Sequence, residues 1–159
     1  MCEYCGCQAL SPIDELTREH DLVLSLISDV REARLGADLP RMADLARRIA
    51  TVLGPHTQVE EQALFPPLVS DFPDQIAVLE AEHRRVDAVL AEASAGPPED
   101  PAWPDRLSET LAVLREHVFK EQDGVFPAAL ASLGASDWDA VEAARVRAGQ
   151  PPSQRDSAR

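Results

Sequence analysis

The chain lacks any apolar run approaching the roughly 20 residues that a membrane-spanning helix needs. Its opening MCEYCGCQAL has neither the basic region nor the apolar stretch of a secretory signal. A cytoplasmic protein with no membrane partner is therefore expected. Cysteine is scarce, and Cys2, Cys5 and Cys7 crowd into one short segment, which excludes a disulfide framework that staples distant parts of a small secreted fold. Basic residues are few, with 15 Lys plus Arg against 28 Asp plus Glu and a net charge of -13. Repulsion then argues against a nucleic-acid or anionic-membrane partner, and the acidity reads as a solvated surface. A chain of 159 residues is long enough to bury one core without staples.

Histidine is equally scarce, and all four fall in two copies of one pattern. VLGPHTQVEEQALFPPL (Val52 to Leu68) aligns with VLREHVFKEQDGVFPAAL (Val113 to Leu130), matching Val, Leu, His, the Glu four residues on, Phe and Pro. Ahead of each copy lies a shorter match, LTREHDLVL at Leu16 to Leu24 and LEAEHRRVDAVL at Leu79 to Leu90, each centred on a Glu-His pair. On a helix, positions four apart share a face, so His56/Glu60 and His117/Glu121 can each aim two ligand atoms at one point. With His20 and His83 from two further helices, four nitrogens and two carboxylates converge, a set suited to two metal ions. One His-Glu pair at this spacing is commonly a plain helix-surface contact. Placing every His of the chain at matching positions of a repeat implies that the imidazoles share a task.

Segment signals give an all-α architecture, an up-down-up-down four-helix bundle with a short C-terminal helix. Residues 1–10 read as a Cys-containing tail, 11–133 as the bundle, 134–148 as the short helix and 149–159 as a disordered tail. Ser11 and Pro12 suit a helix start, with a first helix running to about Arg34. A second helix starts after Asp38, and Gly54-Pro55 marks either its boundary or a bend that tilts His56 toward the metals. The third is expected over about Asp74 to Ala93, before the Pro- and Gly-rich SAGPPEDPAWP loop. The fourth covers about Asp105 to Leu133, bent or broken near Phe126-Pro127, and the short fifth begins at a cap-like Ser136.

Imidazole suits iron, zinc and copper, whereas carboxylate suits iron and manganese, so the mixed set favours iron, with manganese or zinc behind it. The run His20, His56-x-x-x-Glu60, His83, His117-x-x-x-Glu121, with LFP and VFP after the two pairs, resembles the hemerythrin-like HHE cation-binding domain over about residues 11 to 133. The resemblance implies a bundle holding two non-haem irons joined by an oxo or hydroxo bridge, with Glu60 and Glu121 as bridging carboxylates and the four His as terminal ligands. Oxygen-carrying hemerythrins have a fifth His, from a His-x-x-x-His pair on the third helix, and an Asp one position later in the last motif. Here Leu79, Asp87 and Glu121 stand instead, so each iron keeps an open position unless Glu61, Glu80 or Asp87 fills one.

That departure moves the expectation from oxygen carriage toward chemistry on a small oxidant, namely peroxide, oxygen or nitric oxide, in a stress response. It is similar to hemerythrin-like proteins linked to iron–sulfur-centre repair under nitric oxide stress and to iron-sensing and peroxide-handling relatives. The alternative is an iron or oxygen binding, sensing or storage module without turnover. An enzyme of this kind is a di-iron oxidoreductase needing an electron donor; a monomer or weak homodimer is expected. Phe65 and Phe126 are either pocket walls or ordinary core. Cys2, Cys5 and Cys7 form either a redox or second metal site or a reduced tail.

Overall fold

The computed structural model describes the backbone of residues 5–151 and the side chains of residues 9–151. All the regular structure in that range is helical: α1 (Cys5–Leu35), α2 (Leu39–Val59), α3 (Pro73–Ala91), α4 (Trp103–Lys120), α5 (Phe126–Ser132) and α6 (Ala135–Arg147). Helices α1 to α4 form the expected up-down-up-down bundle, α1 packing chiefly on α2 and α3 on α4. Asp38 caps α2, accepting the Arg41 backbone N–H at 3.0 Å. The N-cap of helix α6 is Gly134, whose N–H donates to the Asp137 carboxylate at 3.0 Å, rather than Ser136.

The first helix begins earlier than Ser11 and Pro12 suggest. It runs back to Cys5 with Pro12 inside it, so residues 5–10 of the expected tail are helical. An internal proline removes one hydrogen bond and costs about 3 kcal/mol. Buried Ala9, Ile13 and Leu16 offset that cost by packing in one cluster with Phe65 and Trp138. Helix α2 likewise runs through Gly54-Pro55 to Val59, so that pair is no boundary. The irregularity comes one turn later.

At Glu60–Leu64 and again at Glu121–Val125 the chain widens into a single π-helical turn. The Phe65 N–H reaches the Glu60 carbonyl at 2.8 Å, and Phe126 makes the same bond to Glu121. Pro66 and Pro127, which follow, lack the N–H that a regular α-ladder needs there. In an α-helix residues five apart lie about 140° around the axis. The wider turn brings each Phe back toward the face of its Glu, at a kind of bulge that recurs at functional sites.

The apolar interior is two clusters. One holds Val23, Leu26, Met42, Ile49, Trp103 and Leu107 with their neighbours; the other holds Leu16, Leu64, Phe65, Phe126 and Trp138 with theirs. In each of the four long helices the divide between clusters falls at the His positions: after Leu16 and before Val23 in α1, after Leu53 in α2, between Leu79 and Val86 in α3, and after Leu114 in α4. The polar repeat thus forms one layer across the bundle.

Helix α6 seals the second cluster by burying Trp138, Val141 and Ala144, and packs on α1, α2 and the first π turn. Trp138→Ala should destabilise the metal-free protein by about 3 to 5 kcal/mol, the usual cost of truncating a large buried aromatic side chain. Urea unfolding followed by circular dichroism checks this, and a loss below about 1 kcal/mol would mean that α6 is not docked as described.

Candidate metal centre

All six residues singled out by the repeat meet in that layer. Two groups of ligand atoms form, each with every atom within 4.8 Å of the others: His20, His56, Glu60 and Glu121, and Glu60, His83, His117 and Glu121. Both glutamates belong to both groups. Glu60 Oε1 lies 3.0 Å from His56 Nε2, and its Oε2 lies 3.3 Å from His83 Nε2. Glu121 Oε1 lies 2.9 Å from His117 Nε2 and 3.3 Å from His20 Nε2. The six side chains are all buried, the two glutamates completely.

These separations are close, yet Glu60 Oε1 and Oε2, Glu121 Oε1 and Oε2, His20 Nε2 and His117 Nε2 have no hydrogen-bond partner among the described residues. Nitrogen and oxygen therefore point at common positions rather than along each other's lone pairs. Ligand atoms about 2.1 Å from a first-row ion and at right angles around it are about 3 Å apart, which is the spacing found. Leaving buried carboxylate and imidazole atoms unpaired is costly unless a cation supplies the missing interaction. The donor set fits two such ions.

A ring of carboxylates orients the imidazoles. Nδ1–H of His56 donates to Glu19 at 2.6 Å, that of His117 to Glu82 at 2.8 Å, and that of His83 to Glu61 at 2.8 Å. A carboxylate only accepts, so each bond leaves the Nε2 lone pair facing the centre. Glu19 and Glu82 are the acidic members of the two Glu-His pairs. Each supports the His of the neighbouring motif rather than its own neighbour. That cross-support was missed in the sequence, although the repeated Glu-His pair carried the signal.

The pseudo-twofold repeat continues in the aromatic residues. Phe126 stacks on His20 with ring centres 5.3 Å apart and planes 6° off parallel, and Phe65 stacks on His83 at 5.9 Å and 7°. Both rings are buried, so they are core and site wall at once. The symmetry breaks at His20, whose Nδ1 is buried without a partner among the described residues. Gln122 occupies the position in the second motif that Glu61 holds in the first.

Of the candidate extra ligands, Glu61 serves His83 Nδ1 from outside the centre, and Glu80 lies in neither group. Asp87 lines the small cavity at the ligands without joining either group. Its carboxyl is raised by burial and by the charge of Glu61, against the pull of His83. Cys2 lies outside the described residues; the backbone at Cys5 and Cys7 opens α1, and their side chains lie outside the described set.

Residues 11–129 match the hemerythrin HHE cation-binding domain when the chain is compared with models of protein families. The chain belongs to the hemerythrin HHE family. No curated protein and no solved structure matches it. Family membership and the two buried groups together make this a cation-binding bundle. Among the described residues no helix of this hemerythrin domain is long and apolar enough to cross a membrane.

Without metal, protons take the place of cations. Burial works against charge on His83, but the Glu60 carboxylate close beside it and the bond to Glu61 outweigh it, raising His83 from 6.5 to about 9. Burial opposes charge on His56 and His117 too, and Glu60 and Glu121 respectively raise both. Burial also opposes ionisation of Glu60, yet contact with His56 and His83 holds its carboxyl well below 4.5.

A raised folded value for His contributes stability that is complete below 6.5 and fades as pH climbs toward about 9. The lowered Glu60 contributes stability that is present above 4.5 and fades on acidification. The metal-free protein should therefore lose stability from pH 6.5 to 9. Metal needs neutral imidazole, so the metal-bound protein should gain on the metal-free one over that window. Urea midpoints measured across the range, with and without divalent metal, test this; parallel pH curves for the two forms would contradict it.

Proposed function

We propose that His20, His56, Glu60, His83, His117 and Glu121 hold two iron ions and that the centre reacts with a small oxidant, peroxide, oxygen or nitric oxide, in defence against oxidative or nitrosative stress. The observation that carries this reading is the sharing of both buried glutamates by two His-His pairs. Each position draws on two imidazoles and two shared carboxylates, a mixed donor set that suits iron ahead of zinc, and it leaves coordination positions open for an external ligand. Iron held there supplies one-electron chemistry at those positions.

The chain's own contribution is positioning and exclusion. Glu19, Glu61 and Glu82 hold the Nδ1 protons and orient the rings. Phe65 and Phe126 cover the faces of His83 and His20. The cavity at the ligands measures about 10 Å³, roughly the room one water takes. A cavity of that size excludes an organic substrate and restricts the centre to the smallest external ligands. Asp87 lies on the cavity wall with a raised carboxyl, placed to carry a proton to or from a ligand entering there.

Expression in iron-supplemented cells should yield about two irons per chain, with charge-transfer absorption between roughly 300 and 400 nm arising from a carboxylate-bridged imidazole-ligated pair. His20→Ala should lower the metal content and the absorption together. Peroxide or nitric oxide should then be consumed faster than by free iron. One zinc per chain with a featureless spectrum would overturn the iron reading, whereas two irons without consumption of either oxidant would leave a binding, sensing or storage module.

A second prediction separates the supporting carboxylates from the ligands. Glu82→Gln keeps the side-chain shape but weakens the acceptor for His117, and should reduce metal affinity about 10- to 100-fold, the usual effect of losing such a partner. Glu80→Gln should leave affinity unchanged. Competition titration with a chelator reads both, and equal effects would show that Glu82 has no orienting role.

A further inference from the structure

The two halves of the centre differ in what stands behind them. Glu19, which accepts from His56, is gripped by the Arg145 guanidinium of α6 at 2.6 Å, and Arg145 also reaches Glu15 at 3.5 Å. Arg145 is 3% exposed, an unusual setting for arginine unless it is paired. Its apolar neighbours on α6, Trp138, Val141 and Ala144, are buried against the first half. In the second half, Glu82, which accepts from His117, is held instead by Lys120, whose side chain is 49% exposed.

The surroundings differ in the same sense. Helix α6 packs over the first π turn, α1 and α2. The corresponding face of the second half, between α3 and the second π turn, is an open groove of about 520 Å³ with Lys120, Leu79 and Val125 on its walls. Residue 59, which matches Lys120 in the repeat, is valine. A sequence that had simply duplicated its site would have kept one basic support; this one replaces it in the first half with an arginine from outside the repeat.

We propose that Arg145 is a positioning residue that makes the two metal positions unequal: by holding Glu19 it keeps His56 aimed inward, so the His20–His56 position retains its ion while the His83–His117 position exchanges. Docking of the C-terminal helix is then a requirement for tight metal retention at one position only. The effect is mechanical and electrostatic together. The buried guanidinium bonds Glu19 Oε1 through one N–H while Oε2 accepts from His56, its burial in α6 keeps that contact in place, and the carboxylate so held restricts the His56 ring. A surface lysine on a flexible stem restricts Glu82 less.

Because it concerns two ions, the inference presupposes the two-ion occupancy proposed above, and zinc serves as the probe because it needs no redox chemistry. The full-length protein is saturated with Zn²⁺ and mixed with an excess of a chromophoric chelator. The expected result is release in two phases of one ion each. His83→Ala should leave the slow ion alone. Arg145→Met should accelerate the slow phase about 10- to 100-fold and leave the fast phase unchanged, Arg145→Lys should recover part of the loss, and Lys120→Met should leave the slow phase unchanged. If Arg145→Met does not fold by circular dichroism, Glu19→Gln, which keeps α6 and its arginine, should give the same selective acceleration. A purely structural arginine would speed both phases together, and that result, a single wild-type phase for two ions, or an unaffected slow phase would overturn the inference while leaving two-ion binding intact. Uptake of fewer than two ions by the wild type would instead overturn the two-ion reading and this inference with it.

Discussion

Two glutamates with no solvent exposure and no hydrogen-bond partner for their carboxylate oxygens among the described residues set the terms for the rest of this bundle. Ionised carboxylates in an apolar interior are costly, and a protein lowers the cost by neutralising, pairing or coordinating them. Here each is shared by imidazoles on opposite sides, and the metal-free chain uses raised His56, His83 and His117 as the counter-charge. Cations bound at the same positions would take over that role and release the protons. Glu60 and Glu121 thus tie the four long helices together at mid-height through whichever positive charge is present. Two separate apolar clusters above and below are what keep water from supplying the same service.

The local backbone answers to that constraint. Each shared Glu begins a π turn, and each turn ends on a Phe that covers a His of another helix. Regular α-geometry would carry the Phe about 140° away from its Glu. The widened turn thus brings a ligand and a shield onto one side of one helix. Proline after each Phe makes the irregularity local, because the α-helical donor is absent in both copies. Pro55, without such a turn, leaves α2 continuous.

The convergence of the six His and Glu side chains was legible because a repeat with a four-residue spacing states both which side chains are paired and which face they share. The bundle followed from the same spacing. The start of α1 was not legible, since Ser11-Pro12 is a sound local start signal and was overridden by the burial of Ala9 and Ile13, a tertiary effect that no local rule contains. From the sequence Glu61 reads equally as a spare ligand, because an acceptor at Nδ1 and a ligand at the metal look alike in a string of letters; only the fold separates them. Arg145 carried no sequence signal at all. It lies outside the repeat, on a short helix, and its partner Glu19 is 126 residues away.

Duplication explains the shape of the centre and its limits. Two copies of one motif give two nearly equivalent positions, and equivalent positions would compete for ligands and ions on equal terms. The departures from the repeat that change the imidazoles' outer partners are Glu61 against Gln122, Lys120 against Val59, and Arg145 supplied from α6. Ligand identity decides which ions bind, and the six candidate ligands keep the repeat. The outer partners decide how tightly each imidazole is oriented and how basic it is, and these are what differ. One half carries a His20 Nδ1 with no partner among the described residues beside a His56 whose carboxylate is backed by a buried arginine; the other carries two imidazoles bonded to Glu61 and Glu82. Differentiation through the outer partners would let two positions bind the same kind of ion and still behave differently, without loss of the shared carboxylates.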